Sequence, residues 1–227
     1  MRGRATLTGL LLLCAAVLPG WAQNNPYGLD DACYPYFKMA DAMVEDLSND
    51  AFDYANEALL KSALERHDEK ARTLYYVERL KRATRLNRFS DDRLKANDVV
   101  DHAMRELLVV ARETGYMQYY YYAYDLSQTY YVNTGQDLHA RQVMEELMAT
   151  ALEENDEYGL WQGERFLGSL LLRWSDRQNA RKHLKAVLDI YQRSSNPTIR
   201  RQSLTRPCCD LADTYEVGSD SARFYYR

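Results

Sequence analysis

Residues 131–147 read YVNTGQDLHARQVMEEL, and residues 171–187 read LLRWSDRQNARKHLKAV. Laid over one another at an offset of 40, they place Tyr131 on Leu171, Gly135 on Ser175, Ala140 on Ala180, Met144 on Leu184 and Leu147 on Val187. Each set reads as a helix ending in an apolar residue, a tight turn, and a second helix. That second helix carries Ala, a large apolar side chain and a further apolar one at i, i+4 and i+7, which is one helix face. The small Ala stands where two helices approach closely. Working outward, the same face recurs at Ala55/Leu59/Ser62 and Ala96/Val100/Ala103, and begins again at Ala222/Tyr226. The anchoring alanines Ala55, Ala96, Ala140, Ala180 and Ala222 are 41, 44, 40 and 42 residues apart. Two antiparallel helices per 40–44 residues is the mark of an α-solenoid, so the expected fold is all-α, with about four and a half repeats.

The helix pairs expected from the 3.6-residue spacing are 30–47 with 50–66, 69–87 with 91–113, 116–133 with 136–154, and 157–174 with 177–194. A fifth first helix is expected within 198–217, broken or begun at Pro207. Asp50 and Ser90-Asp91 suit N-caps, and Gly115 and Gly135 suit the positions just past helix ends. The punctuation agrees: the 227 residues hold 10 Gly and 5 Pro, with no Pro between Pro35 and Pro197 and no Gly between Gly28 and Gly115. A sandwich or barrel needs turns far more often than that.

The N-terminus gives an address. Met1-Arg2-Gly3-Arg4 is followed by an apolar run through Leu18 and then by Pro19-Gly20-Trp21-Ala22, the pattern of a secretory signal peptide cleaved after Ala22. The apolar run is too short for a bilayer span. Residues 23–227 then form the mature repeat domain, with 27 basic against 33 acidic residues and a net charge of −6. Such a surface has no electrostatic footprint for nucleic acid. Cys33, Cys208 and Cys209 remain, an odd number and not a disulfide framework; buried thiols packed as small apolar groups are expected.

No residue cluster points to catalysis or to a bound cofactor. The histidines His67, His102, His139 and His183 lie 35, 37 and 44 residues apart, without the short ligand spacing of a compact metal site. Gly159, Gly163 and Gly168 interleave with Trp161, Phe166 and Leu167 and follow no strand, so close helix packing is expected of them and not phosphate binding. The acidic pairs Asp91/Asp92, Glu145/Glu146 and Glu153/Glu154 read as solvated surface. A polysaccharide-degrading α/α toroid needs more repeats and inward-facing acids.

The 19 tyrosines are the unusual feature, with Tyr116, Tyr119–Tyr122, Tyr124, Tyr130 and Tyr131 in one segment. Four consecutive tyrosines on a helix point about 100° apart, so they cannot all be core. One expectation is a central helix packed on both neighbours, with phenol hydroxyls reaching water. The sharper expectation is that Tyr121, Tyr124, Gln128 and Tyr131 line a concave groove that binds protein or extended peptide.

The pattern resembles tetratricopeptide repeats. Leu211-Ala212-x-x-Tyr215-x-x-Gly218 with Ala222 and Tyr226 is similar to that family's signature, one residue short in the turn, and Gly168 with Leu171, Ser175, Ala180 and Leu184 is similar too. Asn24-Asn25-Pro26-Tyr27-Gly28-Leu29-Asp30-Asp31 after a signal peptide resembles the start of bacterial envelope proteins whose tetratricopeptide-like sensor region precedes a membrane span and a histidine kinase. The resemblance implies a periplasmic, non-catalytic sensory array that binds a ligand, a protein or itself. It also implies that the chain is an N-terminal fragment, since Ser221–Arg227 reads as a second helix broken off after two turns. A free-standing periplasmic scaffold or assembly factor is the alternative.

Overall fold

A computed structural model of the protein describes residues 25–44 and 49–226; the signal-peptide expectation and the end of the first expected helix fall outside them. Among the described residues there are eleven helices and no strand. They are α1 (Tyr34–Met43), α2 (Asn49–Arg66), α3 (Glu69–Leu86), α4 (Arg93–Thr114), α5 (Met117–Asn133), α6 (Asp137–Glu154), α7 (Glu157–Arg173), α8 (Arg177–Arg193), α9 (Pro197–Arg200), α10 (Thr205–Asp213) and α11 (Asp220–Tyr225). Within each unit of the chain, helices neighbouring in sequence pack as neighbours in space, as expected of the helix pairs of a helical solenoid. None of these helices is long and apolar enough to cross a membrane.

One turn design is used repeatedly. His67, Gly135, Asn155 and Ser175 each adopt the left-handed conformation, with φ between 53° and 74°. The next residue but one after each preceding helix, or its neighbour, then closes a six-residue ring. Asp68 N–H donates to the Ala63 carbonyl at 2.9 Å, Gln136 to Tyr131 at 2.8 Å, Asp156 to Ala151 at 2.8 Å and Asp176 to Leu171 at 2.9 Å. This satisfies carbonyls left open at a helix C-terminus. Three of those residues also cap the following helix: Asp68 accepts from Ala71 N–H, Asp156 from Tyr158 N–H and Asp176 from Asn179 N–H. One aspartate thus ends one helix with its backbone and starts the next with its side chain, so the chain reverses within two or three residues. Ser175 holds at its turn the conformation Gly135 holds one repeat earlier, as the alignment of 131–147 on 171–187 implies.

The sequence-level caps need correction. Asp92, not Ser90 or Asp91, caps α4 by accepting from Lys95 N–H at 3.1 Å. Asp50 lies in the first turn of α2, one residue inside the helix. Gly115 ends α4 in the left-handed conformation as expected.

The described residues form two compact units, one ending at Leu126 and the other beginning at Ser127. In the first, α1 packs on α2 through Ala40, Val44, Phe52 and Ala55, and α1 also touches α3, the equivalent helix of the next pair. Asp41 and Lys81, 40 residues apart, meet at 3.0 Å across that contact. Arg82 donates to the carbonyls of Met43 and Val44 at 3.0 Å, closing the C-terminal end of α1. Glu78 is wholly buried between these groups and accepts from Lys81 at 2.8 Å.

In the second unit α6, α7 and α8 pack in succession and α10 rests on both α7 and α8. Ser169 donates to Asp210, 41 residues on, the counterpart of the Asp41–Lys81 contact. The short α9 departs from the repeat and seats Ile199 against Trp161 and Val187. All five anchoring alanines are 2% exposed or less. Tyr226 is the exception on that register, at 58% exposed.

The glycines of α7 mark close helix approaches. A Cβ on Gly168 would stand 2.6 Å from Cγ of Leu184, which is fully buried, while one on Gly163 would meet half-buried Met148. Leu184 has nowhere to move, whereas Met148 can swing outward. Gly168→Ala is therefore expected to lower unfolding free energy by roughly 1–2 kcal/mol, overpacking outweighing the better helix propensity. Gly163→Ala is expected to leave it within roughly 0.5 kcal/mol of wild type or higher. Urea denaturation of both variants checks the contrast.

Burial pushes the Glu78 carboxyl up to about 7 despite the neighbouring Lys81 ammonium. An acid whose folded value is raised binds protons more tightly when folded, so its contribution is full below the unfolded value of 4.5 and is lost as pH rises toward 7. Across that window the wild type is expected to lose on the order of 3 kcal/mol relative to Glu78→Gln. Parallel denaturant curves from pH 4 to pH 8 measure the difference, and its pH slope separates ionisation from the loss of the Lys81 contact.

Candidate ligand-binding cleft

Three helix faces in the first unit converge on an open cleft of about 740 Å³. α2 supplies Phe52, Asp53, Asn56 and Glu57, spaced so that all four project from one side of the helix. α3 forms the floor with Tyr75, Arg79, Arg82, Ala83 and Leu86, again at successive helical turns. α4 closes the far side with Lys95, Asp98, Val99 and His102, at i, i+3, i+4 and i+7. The side walls are therefore the second helices of two consecutive pairs, and the floor is the first helix that lies between them in the chain.

The cationic side chains of the floor are already engaged. Arg79 pairs with Glu106 at 2.9 Å and lies 5.7 Å from the centre of the Tyr75 ring. Arg82 holds the α1 carbonyls and lies over Phe52 at 5.1 Å. His102, two-thirds exposed, stands 3.7 Å from Glu106. Tyr75 donates its hydroxyl to Glu57 at 3.2 Å. Burial, aided by the Glu57 carboxylate and opposed by Arg79, pushes the Tyr75 phenol up to about 12.

The acceptors are less well served. Asn56 is 2% exposed and donates its amide to the Tyr75 carbonyl at 3.2 Å, but its Oδ1 has no partner among the described residues. Neither Asp53 nor Asp98 pairs with any described residue, and the Lys95 ammonium is likewise unpaired. A buried amide oxygen left without a donor is costly in a finished core. On the wall of an open cleft it is a position for a ligand's N–H or O–H.

The tyrosine segment is arranged differently from the groove expected of it. Tyr124 and Tyr131 are 2% and 1% exposed and belong to the cores of their units, so they are not presented to a ligand; Tyr121 and Gln128 are half-buried. Tyr120 packs on Tyr124 at 5.4 Å and accepts from Arg112 at 2.9 Å, and Tyr131 stacks on His139 at 5.4 Å. Two of the four residues are buried and two half-buried, so they do not form one exposed strip. Of the histidines, His67 sits in a turn, His102 and His139 are exposed, and His183 meets Glu164 at 2.6 Å. Cys33 is buried in the first unit, and Cys208 and Cys209 are half-buried in the second.

The cleft leaves only a faint mark in the sequence. The available signal was polar residues standing at core register: Asn56 directly follows the anchor Ala55, and Arg82 and Glu78 interrupt the apolar face of α3. No protein-family model matches the chain, and no curated protein matches it in sequence.

Proposed function

We propose that the chain is a non-catalytic binding array, exported by its N-terminal signal peptide to the periplasm, that serves as the sensory part of a two-component signalling protein. The observation that carries this proposal is the position of the cleft. Its two walls belong to consecutive helix pairs, so a molecule held between α2 and α4 acts on the contact by which one pair supports the next. A ligand that prefers one spacing of those walls shifts the array toward it by the difference in its affinity for the two spacings. In the sensor proteins this sequence resembles, such a change would pass to a membrane span and a kinase that follow the array.

A free-standing periplasmic scaffold is the alternative, favoured by Phe89 and Leu94. These two stand 83% and 81% exposed around the α3–α4 turn and offer an apolar contact that needs no change within the array.

Site-specific photocrosslinking in cells that export the chain tests the binding role. A photoreactive residue at Val99, on the cleft wall, is expected to give a discrete adduct, while one at the more exposed Leu138 in the other unit gives none. Equal labelling from both positions, or none from Val99, would contradict a binding role for the cleft.

A further inference from the structure

Resting on the binding role proposed above, we infer that the cleft takes an organic cation, a primary ammonium on an alkyl chain, held by acceptors on both walls. The α2 wall presents three acceptors within two helical turns: the Asp53 carboxylate, the partnerless Oδ1 of Asn56 and the Glu57 carboxylate, which receives only the Tyr75 hydroxyl. Asp98 faces them from α4 with no partner among the described residues. Opposing charge within the cleft is largely spent elsewhere, since Arg79 is neutralised by Glu106 and Arg82 is turned to the α1 carbonyls. Lys95 is the unpaired cation there, against the carboxylates of Asp53, Glu57 and Asp98. Apart from the Arg82 guanidinium, whose donors are spent on carbonyls, the groups left open to a ligand among the described residues are three carboxylates, one ammonium and one buried neutral acceptor.

An ammonium brings three N–H donors and one positive charge, which matches that set; an anion would meet repulsion and leave Asn56 without a donor. The cleft lining also includes Leu86 and Val99, each 41% exposed, apolar surface on which an alkyl stem can rest while its head reaches the carboxylates. The cleft volume, about 740 Å³, accommodates a chain of several methylenes with room for an amine at each end. The same ammonium chemistry is supplied by a free polyamine or by a lysine side chain of a peptide.

Isothermal titration of the purified chain with spermidine, with an N-acetylated tetrapeptide carrying one lysine, and with glutarate tests the inference. Saturable binding of at least one of the two amines is expected, with glutarate inert. The better ligand of the two identifies the source of the ammonium. Asp53→Asn/Glu57→Gln and, separately, Asp98→Asn are each expected to weaken that binding by about tenfold or more. Asp53, Glu57 and Asp98 are exposed, so circular dichroism of the variants should match the wild type.

Failure of both amines to bind, glutarate binding as tightly as either, or amine affinity unchanged in both variants would overturn the inference. If amines fail while the Val99 adduct persists, the cleft binds something of other chemistry; if both fail, the binding role falls with it.

Discussion

A helix pair has two apolar faces and its own partner covers only one of them, so each pair must be covered by the next. Everything else in this protein answers that constraint. The second helices place Ala55, Ala96, Ala140, Ala180 and Ala222 on their packed faces, and all five are buried. On α7 the same demand is met by Gly168, where even one methyl group would strike Leu184. Small residues bring helix backbones together, and the large ones at i+4 and i+7 then fill the space on either side: Leu59, Val100, Met144 and Leu184 are almost wholly enclosed.

Apolar contact alone would let successive pairs slide. The polar contacts that bridge the first helices of successive pairs pin the register instead: Asp41 to Lys81 in the first unit and Ser169 to Asp210 in the second. Each joins residues 40 or 41 positions apart, the length of one repeat. Glu78 is the costly member of the set, a buried carboxyl that Lys81 satisfies on one oxygen only. The cleft is the complementary feature, the place in the first unit where the walls of two pairs diverge and their polar groups are left facing one another.

The repeat was legible because helix packing leaves a strict mark in sequence, a small residue followed by large ones at one helix face, renewed every forty or so positions. Helix ends were legible to within a few residues where Gly115, Gly135 or Pro207 punctuates the chain. They were misplaced at Asp50 and at Ser90-Asp91, because several residues in a polar turn can cap and only tertiary packing selects Asp92. The cleft was not legible. A run of tyrosines attracts attention by composition, yet the rings of Tyr124 and Tyr131 are large enough to be core, and burial takes them. The cleft is made of ordinary residues from three helices far apart in sequence, and only Asn56, polar beside the anchor Ala55, betrays it.

The claim that buried alanines set the distance between helices is tested most directly by enlarging one of them without changing helix propensity. Ala140 and Ala149 lie on the same helix, the first wholly buried and the second exposed, and Leu is about as good a helix former as Ala. Unfolding free energies of Ala140→Leu and Ala149→Leu should differ, the former lower than wild type by about 1–3 kcal/mol and the latter unchanged within about 0.5 kcal/mol. Equal stability of the two variants would mean that the helices are not held at the distance a methyl group sets, and the account of the fold would be wrong.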